Sequence, residues 1–287
     1  MSERVIGINL SAFPPQEPEP LLAGIAAAGI QVVEVHVSEE WVQPQDPSRQ
    51  LALARLFARH GLRPASIHTP FGKEVDLGAR DEQLRKAGVK AVADAARALW
   101  EMGGSLAVVH PGRPCPPEHR MQAARACRRS LEDLLEATAS CPVTLLVENM
   151  LPDHACSSSC ELATAMDGLP ERVRFCLDTG HAALTPEGLA VAHVMAGRLG
   201  WVHLQDNLGE GDDHLRPWSG KLDWHLVARL LDEGGYTGPY LFELKAGPNG
   251  GNLKELHDLA ARLEGLRGSQ AEGQEQLPPQ GSIRNLE

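Results

Sequence analysis

Eight short apolar runs alternate with longer stretches of helical periodicity along almost the whole chain, and few folds accept that pattern. The runs fall near residues 4–10, 32–37, 63–68, 106–110, 143–148, 173–178, 199–204 and 239–243. Helical patterns lie between them near 18–29, 47–60, 80–102, 117–140, 158–168, 186–197 and 222–234, with a last one near 251–267. Start signals mark two of these, Pro117-Glu118 and the Asp223 that precedes Trp224-His225-Leu226. A strand followed by a helix, eight times over, makes a parallel sheet that closes into a barrel. An open doubly wound sheet would carry a glycine-rich phosphate loop after its first strand, where this chain has Ser11-Ala12-Phe13-Pro14-Pro15. The expected fold is therefore α/β, a (β/α)8 TIM barrel forming a single domain over residues 1–267. Its 287 residues suit one such barrel, which takes about 250. From Gly268 the chain reads Gly-Ser-Gln-Ala-Glu-Gly-Gln-Glu-Gln, too polar to pack, so 268–287 is expected to be a flexible C-terminal tail.

In such a barrel the residues that end each strand meet at one mouth, where the βα loops begin. His68, His110, Glu148, Asp178, His203 and Glu243 each stand at or beside the end of an apolar run. His181 follows Asp178 by three residues, in the loop after strand six, and Asp212 and His214 occupy the long loop after strand seven. Side chains alternate along a strand, so Ser66 and His68 share a face, as do Leu146 and Glu148, and Trp201 and His203. A single strand-end histidine is ordinarily a hydrogen-bonding residue. Nine imidazoles and carboxylates gathered at strand ends or adjoining loops point instead to one metal site built from many strands. A shell that mixes imidazole with carboxylate suits zinc or manganese as the divalent cofactor.

Charge narrows the partners. The net charge of −11 disfavours nucleic acid, and the loops Ser11–Pro20 and Ser38–Pro47 hold no lysine or arginine. No apolar stretch approaches the roughly 18 residues needed to span a bilayer, and Met1-Ser2-Glu3-Arg4 leads straight into a strand-like run, so a cytoplasmic protein without a membrane partner is expected. The six cysteines show no scaffold spacing and are expected to be reduced. A homo-oligomer is compatible with all of this.

Four segments carry a resemblance. They are Val109-His110-Pro111-Gly112, Val147-Glu148-Asn149, Leu177-Asp178-Thr179-Gly180-His181-Ala182 and Val202-His203-Leu204-Gln205-Asp206-Asn207. With Asp212-Asp213-His214-Leu215-Arg216-Pro217 they make the chain resemble, over about residues 4–265, the xylose isomerase-like barrels. That superfamily comprises sugar phosphate isomerases and epimerases and the apurinic-site endonucleases of the endonuclease-four type. Trp218 stands where a glycine often follows the proline of the last segment, which would narrow or reshape the pocket. The resemblance implies that Glu148, Glu243, Asp178 and His203 hold the shared metal and that His181 lies beside it or touches substrate. In the nuclease branch, nine ligands hold three zinc ions, and His68, His110, Asp212 and His214 match the additional positions.

The four shared residues also make chemical sense alone. A proton moved next to a carbonyl needs an enediolate stabilised by a Lewis acid, and Glu148 and Glu243 could remove and return that proton from opposite faces. Further pocket candidates are Glu34 and His36, which alternate on strand two, and Lys245, two residues past Glu243. His154, Cys156 and Cys160 cluster after strand five, a weak metal pattern better read as loop residues. The expected activity is a divalent-metal-dependent isomerase or epimerase of a small sugar, sugar phosphate or polyol-like carbohydrate. The alternative is a zinc-dependent phosphodiester hydrolase acting at abasic DNA sites, and a third reading is a barrel that binds metal without catalysis.

Overall fold

The computed structural model describes residues 4–245 and 252–273. Its strands are β1 (Ile6–Asn9), β2 (Val32–His36), β3 (Arg63–His68), β4 (Leu106–Val109), β5 (Thr144–Glu148), β6 (Val173–Asp178), β7 (Leu199–Leu204) and β8 (Tyr240–Phe242). They pair in parallel, each with its sequence neighbours, and β8 returns to β1 to close the barrel. Around it run α1 (Pro18–Ala27), α2 (Pro47–Arg59), α3 (Glu82–Glu101), α4 (Pro117–Ala137), α5 (Ser159–Met166), α6 (Thr179–Leu184), α7 (Ala190–Met195), α8 (Trp224–Glu233) and α9 (Glu255–Gly273). The expected (β/α)8 barrel is the fold observed.

Strand alternation divides the apolar side chains between two layers. One set, including Ile67, Val109, Leu145, Val147 and Val202, packs outward against the helices. The other, Val32, Ala65, Val108, Leu146, Cys176, Trp201 and Leu241, fills the barrel itself. Two residues further along, the alternation returns to the interior and delivers Glu34, His110, Glu148, Asp178, His203 and Glu243. An apolar plug therefore supports a polar layer at the carboxyl ends of the strands. Several helices start on side-chain caps: Asp46 accepts from the Arg49 amide, Asp81 from those of Gln83 and Leu84, and Asp223 from those of His225 and Leu226.

The elements differ from the sequence expectation in three places. A six-residue helix, α6, follows β6 directly, because Asp178 caps it by accepting from the His181 amide at 2.7 Å. It is too short to show a helical period, so His181 lies in a helix and not in a loop. The pattern over 186–197 shortens to α7. The last helix continues to Gly273, beyond residue 267, where the apolar pattern ends. Residues 274–287, most of the expected tail, lie outside the described residues. Among the described residues no helix is long and apolar enough to cross a membrane.

Candidate metal centre

Glu148, Asp178, His203 and Glu243, from the ends of β5 to β8, each bring a ligand atom within 4.8 Å of the others, and all four are buried. His203 sits at the centre. Its Nδ1 lies 2.9 Å from Glu148 Oε1, 2.7 Å from Glu243 Oε2 and 3.9 Å from Asp178 Oδ2. A second group, His68, His110 and Glu148, shares the Glu148 carboxylate. There His110 Nε2 stands 2.9 Å and His68 Nε2 3.8 Å from Glu148 Oε2. The remaining three form a hydrogen-bonded string, in which Asp212 Oδ2 lies 2.9 Å from His214 Nε2 and 3.3 Å from His181 Nε2. His214 has φ +50°, a left-handed conformation uncommon outside glycine, which sets its Nδ1 3.2 Å from the Glu243 carbonyl.

Electrostatics show what the site needs. Burial would raise the Glu148 pKa, yet His203 and His110 hold it well below the ordinary carboxylate value. Burial acts likewise on Glu243, where His203 outweighs it and draws the pKa down to about 2. For Asp178, burial wins with help from Glu148 and Glu243, pushing it up to about 6 against the pull of His181. His203 and His181 both rise well above the usual histidine value, although burial alone would lower them. Three crowded carboxylates thus favour positive charge at His203 and His181, whereas burial lowers the pKa of His110. A divalent cation meets the same demand. Glu148 Oε2 and His110 Nε2 fit such an ion, being buried without a hydrogen-bond partner although only 2.9 Å apart. Donor atoms left unpaired in this way suit a cation placed between them, and an oxygen-and-nitrogen donor set suits zinc or manganese.

The supporting shell holds most of what sequence reasoning missed. Glu34, expected at the pocket mouth, is wholly buried beneath the four ligands. Its carboxylate accepts from Asn9 Nδ2 (2.9 Å), Ser66 Oγ (2.7 Å) and Trp201 Nε1 (3.2 Å). Its Oε1 also lies 3.0 Å from His203 Nε2, at ion-pair distance but without hydrogen-bond alignment. Glu34 is buried and does not line the cavity beside the centre. Asn9 also donates to Glu243 Oε1 at 3.0 Å. Gln205 Nε2 reaches both Asp178 oxygens and Asp212 Oδ1, and Asn149 exchanges two hydrogen bonds with the Asp178 backbone. Asn149 and Gln205 stood inside the quoted motifs, and their adjacency to Glu148 and His203 was the available signal.

A cavity of about 490 Å³ opens beside the centre, with Ser11, His36, His68, Phe71, His214 and Glu243 in its wall. His36 lines this cavity. Trp218 does not line this cavity: its ring packs on Trp224, with the Arg262 guanidinium 4.2 Å from its centroid. Lys245 is exposed, and its backbone N–H donates to the His214 carbonyl. Cys156 is buried and Cys160 exposed, and among the described residues no ligand group forms around His154.

The sequence profile of the xylose isomerase-like TIM barrels matches residues 22–264. The chain belongs to that family. Within the xylose isomerase-like barrels, a probable endonuclease 4 of Mycobacterium leprae is 25% identical over 244 residues, covering 80% of this chain and 90% of that protein. A D-tagatose 3-epimerase-like protein superposes with TM-score 0.80 at 18% identity, over 93% of this chain and 99% of the other. The 3-keto-D-glucoside 4-epimerase of E. coli superposes with TM-score 0.71 at 20% identity, over 91% and 99%. Three further curated relatives, described only as uncharacterized proteins, are matched over 31%, 62% and 64% of their own length.

The second ligand group makes a prediction. If His68 and His110 hold a second ion through the shared Glu148, changing both to alanine lowers metal stoichiometry by one while the four-residue group retains its ion. Elemental analysis after gel filtration measures this. An unchanged stoichiometry of one would assign the two histidines to substrate contact or to support of Glu148.

Proposed function

We propose that the protein is a divalent-metal-dependent isomerase or epimerase of a small carbohydrate, working by proton transfer at a carbon next to a carbonyl. The observation that carries this reading is the pair Glu148 and Glu243, brought by β5 and β8 to one imidazole at 2.9 and 2.7 Å. Glu148, Asp178, His203 and Glu243 would hold the ion, which supplies Lewis-acid polarisation of substrate oxygens when bound. Both glutamates are held ionised by the neighbouring histidines, so each is able to accept a proton. His181 and His214 border the site with their ring nitrogens already engaged, by Asn149 and Asp212 and by Glu243 and Asp212, so they hold the Asp212 carboxylate in place beside it. The buried floor of Glu34, Asn9 and Trp201 excludes water from below and fixes where the reacting groups point.

One observation favours a second reading. His68, His110, Asp212 and His214 all stand beside the centre, as a three-zinc hydrolase of abasic DNA would require, and the endonuclease 4 relative covers most of the chain. Against it stands charge. Duplex DNA carries one phosphate per ~1.7 Å of axis and calls for a basic rim. Here Glu39, Glu40 and Asp46 follow β2, and Glu210 and Asp213 flank Asp212, within a net charge of −11.

Solvent deuterium exchange decides between them. With manganese or zinc supplied, label is expected to enter a ketose next to its carbonyl, and chelation with EDTA should stop it. Metal-dependent cleavage of an abasic duplex at low salt, with no exchange into any sugar, would replace this reading with the hydrolase.

A further inference from the structure

The cavity beside Glu243 says more about the substrate than the metal ligands do. Among the described residues, none that lines it is a lysine or an arginine, and its one carboxylate is Glu243. Part of its wall is apolar, made by Val37, Pro70 and Phe71. Phe71 is 60% exposed, with its ring centroid 4.3 Å from that of His110 and 5.2 Å from that of His68. A large aromatic left open to water at a binding mouth gains from being covered by an apolar surface, and the C–H face of a sugar ring or chain is one.

The imidazoles of the wall are largely committed. His214 is held between Asp212 and the Glu243 carbonyl, and His68 stands against Glu148. His36 is left to meet a ligand hydroxyl. Of the cations in the adjoining loops, Arg113 donates to the Lys73 carbonyl and Arg216 pairs with Glu255, and the exposed side chains of Lys73, Lys221 and Lys245 do not line the cavity. Residues 246–251 read Ala-Gly-Pro-Asn-Gly-Gly and contain no charged side chain. A phosphate ester would thus place an anion next to Glu243 and against apolar walls, without a fixed countercharge, which is costly in a partly dry cavity.

Resting on the isomerase or epimerase reading, we infer that the substrate is an unphosphorylated sugar with a carbonyl group, its C–H face on Phe71 and a hydroxyl at its far end on His36. Specificity for neutral over phosphorylated sugars is then a property of this wall and not of the metal ligands.

The manganese-loaded protein is assayed by deuterium exchange and by direct binding with D-fructose and D-ribulose and with their 6- and 5-phosphates. The expected result is kcat/KM at least tenfold higher for the free sugars, with tighter binding in the same order. Phe71→Ala should raise KM about tenfold with a smaller change in kcat, and Phe71→Tyr should restore it. Preference for the phosphate esters, in turnover or in binding, overturns this inference and leaves the reaction class standing. So does an unchanged KM in Phe71→Ala. Exchange into none of these four, nor into any of a wider panel of aldoses, ketoses and their phosphates, overturns the reaction class, and this inference with it.

Discussion

Glu148→Gln is expected to lower turnover by about 10²–10⁴-fold, the range that a positioned acid/base group contributes. The loss should be accompanied by release of metal on dialysis. The reason is the number of roles converging on one carboxylate. Glu148 Oε1 faces His203 and Oε2 faces His110 and His68, so it belongs to both ligand groups. The substitution keeps the shape of the side chain and removes its charge, so circular dichroism and melting should show a folded barrel. Glu243→Gln should behave similarly, because its carboxylate lies equally close to His203. Turnover within tenfold of the parent protein, with metal retained, would show that Glu148 is neither ligand nor base.

Glu34→Leu should cost about 3–5 kcal/mol of stability, the usual consequence of removing one side of a buried charged pair. Ser66 and Trp201 lose their acceptor, Asn9 keeps only Glu243, and His203 Nε2 loses its ion-pair partner. For a chain of this size that is a fall in melting temperature of roughly 10 °C. Groups that orient a metal-binding histidine typically contribute 10–100-fold in metal affinity, so manganese binding should weaken by about that factor. Glu34→Gln, which keeps one acceptor oxygen, should recover part of the stability but not the full affinity. Thermal melts with and without manganese, and a competition titration with a metallochromic dye, measure both. An unchanged affinity in both variants would leave Glu34 a structural residue only.

The Glu34 result also marks where sequence reasoning met its limit. Glu34 and His36 were legible as a same-face pair on one strand, and that was correct. Their depth was not legible. Depth depends on the stagger of strands closed into a barrel, and the pairing of β2 with β3 shifts register between Val33 and Glu34. The partner that places Glu34 on the floor, Trp201, lies 167 residues away. Trp218 is a different case: its position after Pro217 suggested the pocket, and its ring packs on Trp224 with the Arg262 guanidinium over it.

What the sequence alone determined is the order of elements and the chemical kind of residue at each strand end. Both follow from local physics: apolar alternation sets the faces of a strand, helical periodicity sets the helices between, and eight parallel strands with short connections have one economical way to close. Glu148, Asp178, His203 and Glu243 could be named because each ends its own apolar run. The tertiary structure alone decided which of the nine share one centre, which stand beside it, and which neutral side chains hold them. Those outcomes depend on distances between residues far apart in sequence, such as Asn9 to Glu243 and Gln205 to Asp178, and on burial, which turns an ordinary asparagine or glutamine into a donor that a carboxylate cannot replace with water.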